Sequence, residues 1–228
     1  SALDINNGKR VWRTNIHRED EDDVVIGGGI AYSAGKIYAS NGLNELVVLN
    51  PLTGEILRRD ALPAPVRAAP TIVDGRVFVT TLDNKLLALS AEDGTVLWEY
   101  LGISESAGLV GAASPAANRD IVIPVFSSGE VNAVRAANGS VAWSDNISNI
   151  RQYGGLVTIS DIKALPVIDK GLVIAISFAG RIVAIDERTG TRIWQREISG
   201  AQTPWVAGNH IFVVSTDHKL VALGRESG

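Results

Sequence analysis

The sequence contains no cysteine and no methionine. Without cysteine the chain has no disulfide, no thiolate nucleophile and no cysteine-based metal site. It has no apolar run near the ~18 residues that a membrane-spanning helix needs, and no signal peptide is recognisable. The glycine run 27–29 is not a phosphate-binding loop, because neither a Lys-Ser/Thr pair nor a helix pattern follows it. These absences exclude thiol chemistry and P-loop nucleotide chemistry.

Residues that could catalyse a reaction are also scarce. The three histidines, His17, His210 and His218, are not accompanied by clustered carboxylates. A G-x-S-x-G nucleophile turn is absent. The adjacent carboxylates of the run 19–23 do not converge on one point, so we expect a solvated connecting loop there. We therefore predict no catalytic residue, no metal site, no cofactor and no enzymatic activity.

The composition that remains is that of a globular protein. Hydrophobic residues make up 46% of the 228 residues, charged residues 20%, and there are 23 glycines. The formal net charge of −4 gives no reason to expect a nucleic-acid partner.

One short motif recurs along the chain. Its best copy runs from Ala184 to Trp194 and predicts a strand, a tight turn at Gly190 and a second strand. The turn glycines of successive copies are separated by 46, 40, 45, 51 and 38 residues. A period of this length is typical of the four-stranded blades of β-propellers. These glycines stand at positions 8, 54, 94, 139, 190 and 228.

Between two copies of the motif the sequence predicts four strands, which we name A, B, C and D. The starts of strands B and C are nine residues apart in every copy. The chain reads C-D, then four A-B-C-D units, then A-B-C. We therefore predict an all-β fold, a β-propeller of four-stranded antiparallel blades with about five blades present. We expect residues 1–228 to form a single propeller domain that is truncated within a repeat at both ends.

One tryptophan per copy holds the same place in the motif. We predict that these side chains pack between neighbouring blades and that each indole N–H donates to a carbonyl. In one copy Arg58 stands in this place. Trp205 lies outside it, near the start of an A strand, and we expect it to be buried. The four structural tryptophans are Trp12, Trp98, Trp143 and Trp194.

The copies differ in length mainly between strand D of one unit and strand A of the next. The longer D–A links are 19–29, 101–111 and 146–163. In an up-and-down blade these links share one face of the ring with the B–C turns, and insertions on one face often mark a binding surface. The apolar residues of the second and third links favour a protein partner. The alternative is that they fold back onto the blades.

The motif Ala-x-Asp-x-x-Thr-Gly-x-x-x-Trp of residues 184–194 resembles the repeat of pyrroloquinoline-quinone (PQQ) dehydrogenase-like propellers. Quinoprotein dehydrogenases of this type carry adjacent cysteines against the cofactor, and this chain has none. The resemblance therefore implies the fold without a bound quinone.

Three stretches more closely resemble the BamB family of outer-membrane assembly lipoproteins, in its α-proteobacterial form. They are Gly27-Gly-Gly-Ile-Ala-Tyr32, the D–A link 102–115, and Ser160-Asp-Ile-Lys-Ala-Leu-Pro-Val167. The resemblance implies an eight-bladed ring on the periplasmic face of the outer membrane of a Gram-negative bacterium, with a lipid-bearing cysteine upstream of this chain. It also implies binding to the periplasmic POTRA domains of BamA, with nascent outer-membrane proteins as a further partner.

In that family the contacts to BamA come from two D–A links, one with a Leu-x-Leu-Arg pattern and one with Asp-x-Asp. This sequence keeps one leucine of the first pattern, and a lysine replaces one aspartate of the second, so we expect the contacts to differ in detail. The candidate partner-binding residues are Ala107, Leu109, Val110, Asp161 and Lys163.

Two other functions are compatible with the repeats. The chain could belong to a PQQ-dependent dehydrogenase-like enzyme, or to a ligand-sensing propeller domain of a receptor. Quinone reconstitution would identify the first, and adjoining transmembrane or kinase sequence the second.

Overall fold

The computed structural model of the chain describes residues 1–17, 27–102, 113–126, 128–147, 162, 164–178 and 180–228. These residues form six β-sheets, which we number as blades 1 to 6 in chain order. Blade 1 has two strands, blade 6 has three, and blades 2 to 5 have four antiparallel strands each. The described part of the chain contains no helix with the length and apolarity needed to span a bilayer.

Every strand pairs with its neighbour in sequence, as expected of an up-and-down blade. Blade 1 comprises β1 (Ala2–Leu3) and β2 (Arg10–Trp12), and blade 2 comprises β3 (Gly29–Ser33), β4 (Lys36–Ser40), β5 (Glu45–Leu49) and β6 (Ile56–Ala61). Blade 3 comprises β7 (Thr71–Val73), β8 (Arg76–Thr80), β9 (Lys85–Ser90) and β10 (Val96–Leu101), and blade 4 comprises β11 (Ala116–Ala117), β12 (Ile121–Ile123), β13 (Glu130–Arg135) and β14 (Val141–Asn146). Blade 5 comprises β15 (Val167–Asp169), β16 (Leu172–Ser177), β17 (Arg181–Asp186) and β18 (Arg192–Arg196), and blade 6 comprises β19 (Trp205–Ala207), β20 (His210–Val214) and β21 (Leu220–Gly224).

The predicted fold class is confirmed, and burial explains why these strands form. The second and third strands of each complete blade are nearly continuous apolar runs, and every residue of β5 is buried. Such strands are stable only where a second sheet covers each face. The fourth strands, such as β10, are more exposed and lie at the outer edge of their sheets.

The core lies between the blades. Blades 4 and 5 share a cluster that includes Ile123, Val131 and Trp143 from one sheet and Val173 and Val183 from the other. Similar clusters join blades 2 and 3, blades 3 and 4, and blades 5 and 6. Each sheet is therefore stabilised by its neighbours, as in other repeat proteins.

Two kinds of turn join the strands on one side of each sheet. The A–B turn of blade 3 is the dipeptide Asp74-Gly75, with φ of 50° and 74°, which fits the twist of a tight hairpin. The C–D turn of blade 5 is closed by a bond from the Gly190 N–H to the Asp186 carbonyl at 2.9 Å. The Asp186 carboxylate also accepts the Thr189 N–H at 2.8 Å. The fixed distance between Asp186 and Gly190 in the motif is therefore the length of this turn, which the Asp186 side chain caps.

The first strands of the complete blades lie side by side. Strand β7 contacts both β3 and β11, and β11 contacts β15. The hydroxyl of Thr71 in β7 donates to the Pro115 carbonyl beside β11 at 2.6 Å. The A strands therefore form the inner side of the arc and the D strands its outer side.

Candidate functional site

The described ends of the D–A links and the B–C turns lie on one face of the arc, which we call the D–A face. In three blades the first residue of the link donates its N–H to the B–C turn of the same blade, which confirms the predicted placement. The bonds are Leu62 to Asn44 at 2.8 Å, Gly102 to Asn84 at 2.8 Å and Ile147 to Gly129 at 2.9 Å.

The A–B and C–D turns lie on the other face, which we call the A–B face. In blade 3 the Ala91 N–H of the C–D turn donates to the Gly75 carbonyl of the A–B turn at 2.9 Å. In blade 5 the Glu187 N–H donates to the Gly171 carbonyl at 2.9 Å. Each complete blade therefore presents two independent sets of loops.

The short link 62–70 folds down between blades 2 and 3. Leu62 and Val66 are buried and join the core cluster of these two blades. The Val66 N–H donates to the Leu43 carbonyl at 2.9 Å, and the Pro65 carbonyl accepts the Leu82 N–H at 2.9 Å. A link of this length is thus part of the scaffold.

The described ends of the links 101–111 and 146–163 are anchored in the same way. A Cβ on Gly102 would lie 2.5 Å from the Phe126 ring, so the link 101–111 leaves its blade in close contact with that ring. Ile147 and Ile162, near the two ends of the link 146–163, are buried in the cluster between blades 4 and 5. Both links therefore begin or end on a rigid base.

The five partner-binding candidates all lie outside the described residues. They are Ala107, Leu109, Val110, Asp161 and Lys163. Their nearest described neighbours in sequence are Gly102 and Ala113 for the link 101–111, and Ile162 and Ala164 for the link 146–163. All four of these residues are buried. The assignment of the five candidates to a partner stays a prediction.

The B–C turns add fixed charges to the D–A face. In blade 6 the Asp217 carboxylate pairs with the Lys219 ammonium at 2.6 Å and accepts a hydrogen bond from the Ser215 hydroxyl. These hydrogen bonds, that from Lys219 first, lower the pKa of Asp217 to about 2. In blade 3, burial acts to raise the pKa of Asp83, but hydrogen bonds from Thr81 and Lys85 outweigh it and the pKa lies below its usual value. Both carboxylates stay charged at neutral pH.

The structural tryptophans lie at the boundaries between blades. Each indole N–H donates to a carbonyl in the C–D turn of the next blade, three residues before the turn glycine. The bonds are Trp12 to Pro51 at 2.9 Å, Trp98 to Ala136 at 3.1 Å, Trp143 to Glu187 at 2.7 Å and Trp194 to Arg225 at 2.8 Å.

The boundary between blades 2 and 3 lacks this tryptophan and uses two other side chains. Arg58 donates to the Glu92 carbonyl, and its guanidinium is held by Asp60 at 2.7 Å. The Tyr38 hydroxyl donates to the Ala91 carbonyl at 3.4 Å, which is the acceptor position that tryptophan uses elsewhere. Burial raises the pKa of Tyr38. The sequence identifies Arg58 as an exception to the repeat, but it contains no signal that Tyr38 shares its role.

The expectation that Trp205 is buried is wrong, because 72% of its side chain is exposed. Trp205 pairs laterally with Phe212 of β20. The alternate residues of β20, Ile211 and Val213, are buried against blade 5. Trp205 therefore stands on the opposite side of blade 6, where the described chain places no further sheet.

Several charged side chains of the described residues stabilise contacts between sheets. The described residues contain no group of three or more histidine, aspartate or glutamate side chains that could hold a metal ion. Their ionised pairs, such as Arg192 with Asp145 at 2.6 Å across blades 4 and 5, hold sheets together. The blades are antiparallel, and at most of their boundaries a tryptophan of the repeated motif bonds to the next blade. The chain is therefore a β-propeller protein with PQQ-like repeats.

Within that class, the chain belongs to the family described as outer membrane protein assembly factor BamB, whose model matches residues 1–228. The chain is 30% identical to an uncharacterised protein of Rickettsia conorii, over 100% of its own length and 56% of the relative. It is 25% identical to the outer membrane protein assembly factor BamB of Yersinia pestis, over 100% of its own length and 59% of the relative. The chain thus spans a little over half the length of these relatives, and the Rickettsia match fits the predicted α-proteobacterial type.

Solved structures agree on the fold. The crystal structure of BamB from Moraxella catarrhalis superposes with a TM-score of 0.78 at 22% identity, over 85% of this chain and 59% of that one. A quinohemoprotein alcohol dehydrogenase from Pseudomonas putida HK5 superposes less well, with a TM-score of 0.60 at 18% identity over 71% of this chain and 32% of that one. The propeller fold is therefore shared by assembly factors and by enzymes.

Proposed function

We propose that the chain acts as a non-catalytic scaffold in the assembly of outer-membrane β-barrel proteins. The observation that carries this proposal is the family match, which covers residues 1–228. The relative from Yersinia pestis is named as an outer membrane protein assembly factor. The dehydrogenase alternative has weaker support, because the fold match to that enzyme is the poorer one and the chain has no cysteine.

The proposed partner is the set of periplasmic POTRA domains of BamA, and the proposed binding surface is the D–A face. Anchored link ends support this choice, because a binding loop on a rigid base loses less conformational entropy on binding. The candidate contacts are Leu109 with its neighbours Ala107 and Val110, and Asp161 with Lys163. Leu109 would supply apolar area, and the oppositely charged pair would set the orientation of the partner. The proposed location is the periplasmic face of the outer membrane.

The test is a calorimetric titration of the 228-residue chain with the POTRA domains of the cognate BamA. Leu109→Asp places a charge in a desolvated contact and should weaken binding at least ~10-fold. Asp161→Arg inverts a charge and should weaken binding and change its salt dependence. The matched control is Lys9→Gln, in a C–D turn on the A–B face, which should leave binding unchanged.

The outcomes separate the partner from the site. Binding that is lost in both link variants and kept in the control supports the whole proposal. Binding that neither link variant affects keeps the partner and rejects the residues. Absence of binding by the wild-type chain and by a longer chain with a complete ring rejects the scaffold function.

A further inference from the structure

A groove opens on the A–B face, opposite the proposed partner surface. It lies between blades 4 and 5 and has a volume of about 770 Å³. Both walls belong to complete four-stranded sheets. Blade 4 contributes its A–B turn and its C–D turn, and blade 5 contributes the same two turns from the other side. The groove therefore does not depend on the two incomplete blades.

The A–B turn of blade 4 departs from the repeat. As in the other blades, the turn has two central residues, here Arg119-Asp120, and the Asn118 N–H donates to the Ile121 carbonyl at 3.0 Å. The other A–B turns each contain a glycine, whereas this one has none. The Asn118 side-chain oxygen accepts the N–H groups of Asp120 and Ile121, each at 2.9 Å, and fixes the turn. Arg119, the first central residue of this turn, lines the groove.

The C–D turn of blade 4 departs from the repeat as well. Four residues before the turn glycine, most blades have a short polar side chain that accepts a backbone N–H of the turn and so stabilises it. Blade 4 has Arg135 there, which cannot accept this bond. Arg135 lines the same groove as Arg119. The capping residues of the other turns are Asp4, Asn50, Ser90 and Asp186.

The acidic residues of the groove are largely engaged, and the arginines are not. Asp186 caps its own turn, and Asn118 donates to the Glu187 carboxylate from across the groove. In the described part of the chain, Arg119 and Arg135 form no ion pair and donate no side-chain hydrogen bond. Two turns have thus changed in ways that each add a guanidinium with free donors.

The floor of the groove is rigid. Glu187 donates its N–H to Gly171 at 2.9 Å and accepts the Trp143 indole N–H on its carbonyl at 2.7 Å. Its carboxylate is held by Asn118. The walls are therefore fixed relative to each other before any ligand arrives, which lowers the entropic cost of binding.

We propose that this groove binds the carboxylate side chains of an acidic, extended polypeptide segment. Free guanidinium groups form paired, charge-assisted hydrogen bonds with carboxylates. The carboxylate of Asp120 at the rim and the net charge of −4 oppose a densely charged polyanion, whereas they tolerate carboxylates spaced along a peptide. This second surface would let the scaffold bind one protein on each face, and it holds whether or not the D–A face binds BamA.

The test uses fluorescence anisotropy of a labelled octapeptide of alternating glutamate and glycine, titrated with the 228-residue chain. The variants are Arg119→Gln and Arg135→Asn, alone and together. Asparagine is the residue that caps the equivalent turn of blade 2 at Asn50, so Arg135→Asn should not lower the melting temperature. We expect the double variant to weaken binding at least ~10-fold and the wild-type affinity to fall with added salt.

Three controls keep the result specific. The corresponding glutamine–glycine peptide should not bind, Lys9→Gln should bind the glutamate peptide like wild type, and inorganic phosphate should compete only weakly. The proposal is wrong if the wild-type chain shows no saturable binding up to about 1 mM. It is also wrong if the double variant binds like wild type, or if phosphate competes as well as the peptide does.

Discussion

At the scale of single residues, the tryptophans connect neighbouring sheets through both a hydrogen bond and a packing contact. The Trp143 N–H reaches the Glu187 carbonyl at 2.7 Å, and the ring lies against Gly190 of the same turn. The bond is partly buried, with Trp143 only 8% exposed, and buried polar groups of this kind are normally hydrogen-bonded. The repeat in the sequence predicts the positions of these tryptophans, whereas only the structure identifies the carbonyls that accept their hydrogen bonds.

Trp143→Phe tests the hydrogen bond. The variant keeps an aromatic ring but leaves the Glu187 carbonyl without its donor, so we expect the free energy of unfolding to fall by about 1–3 kcal/mol. Trp205→Phe is the matched control, because this tryptophan is 72% exposed and should change stability by less than about 0.5 kcal/mol. Urea unfolding followed by circular dichroism measures both. Equal effects of the two substitutions would contradict the role of the bond.

Some residue roles could be predicted from sequence and others could not. The shared place of Trp12, Trp98, Trp143 and Trp194 follows from the period alone. The contribution of Tyr38 at the boundary without tryptophan could not be predicted, because Tyr38 lies on a different strand from Arg58 and the two meet only after the sheets pack. For Trp205 the local pattern suggested burial, but burial depends on which sheet covers a strand, and local sequence does not contain that information.

At the scale of elements, the turns combine two requirements in one glycine. Gly190 has a φ of 75°, which disfavours any side chain, and a Cβ there would lie 2.6 Å from the Trp143 side chain. Gly75 has nearly the same φ, 74°, but a Cβ added to it would meet no atom within 4 Å. Backbone strain and inter-blade packing can therefore be separated by comparing the two turns.

We expect Gly75→Ala to destabilise the protein by about 1–2 kcal/mol, from the left-handed backbone alone. Gly190→Ala should cost about 1–3 kcal/mol more, because the tryptophan and the turn must also move apart. Thermal or urea unfolding of the two variants gives the difference directly. If both substitutions have the same effect, the contact between turn and indole is not tight in solution.

The sequence predicts these elements unevenly. The constant spacing of nine residues between the starts of strands B and C locates the buried centre of each blade. The groove beside the A–B turn of blade 4 could not be predicted, since the polar residues of this turn look like those of any other turn until their position beside the next blade is known. The candidate residues of the long D–A links follow from the family resemblance and lie outside the described residues.

At the scale of the whole molecule, the first and last described sheets are incomplete, and each has a C strand at an edge. In the described chain β1 pairs only with β2, and β21 pairs only with β20. Leu220 on β21 and Leu3 on β1 are 72% and 63% exposed. Unpaired strand edges with exposed apolar side chains favour pairing with other chains.

We therefore expect the 228-residue chain to self-associate as its concentration rises. Leu220→Lys should weaken the association, because a charged side chain on an edge strand opposes pairing. Leu52→Lys is the control, since Leu52 is 82% exposed but lies in a C–D turn away from either edge. Sedimentation velocity over about a 100-fold range of concentration measures this. A chain that stays monomeric throughout and resists protease would show that the edges are protected.

The one-way hydrogen bonds of the tryptophans also bear on how such a chain can evolve. Each blade offers a donor to the blade that follows and an acceptor to the blade before, so most boundaries are chemically interchangeable. Duplication or loss of a whole unit would rejoin matching surfaces and keep the architecture. The boundary of Arg58 and Tyr38 is the exception, because its donors differ. It is a landmark by which homologous units can be aligned among relatives with different numbers of blades.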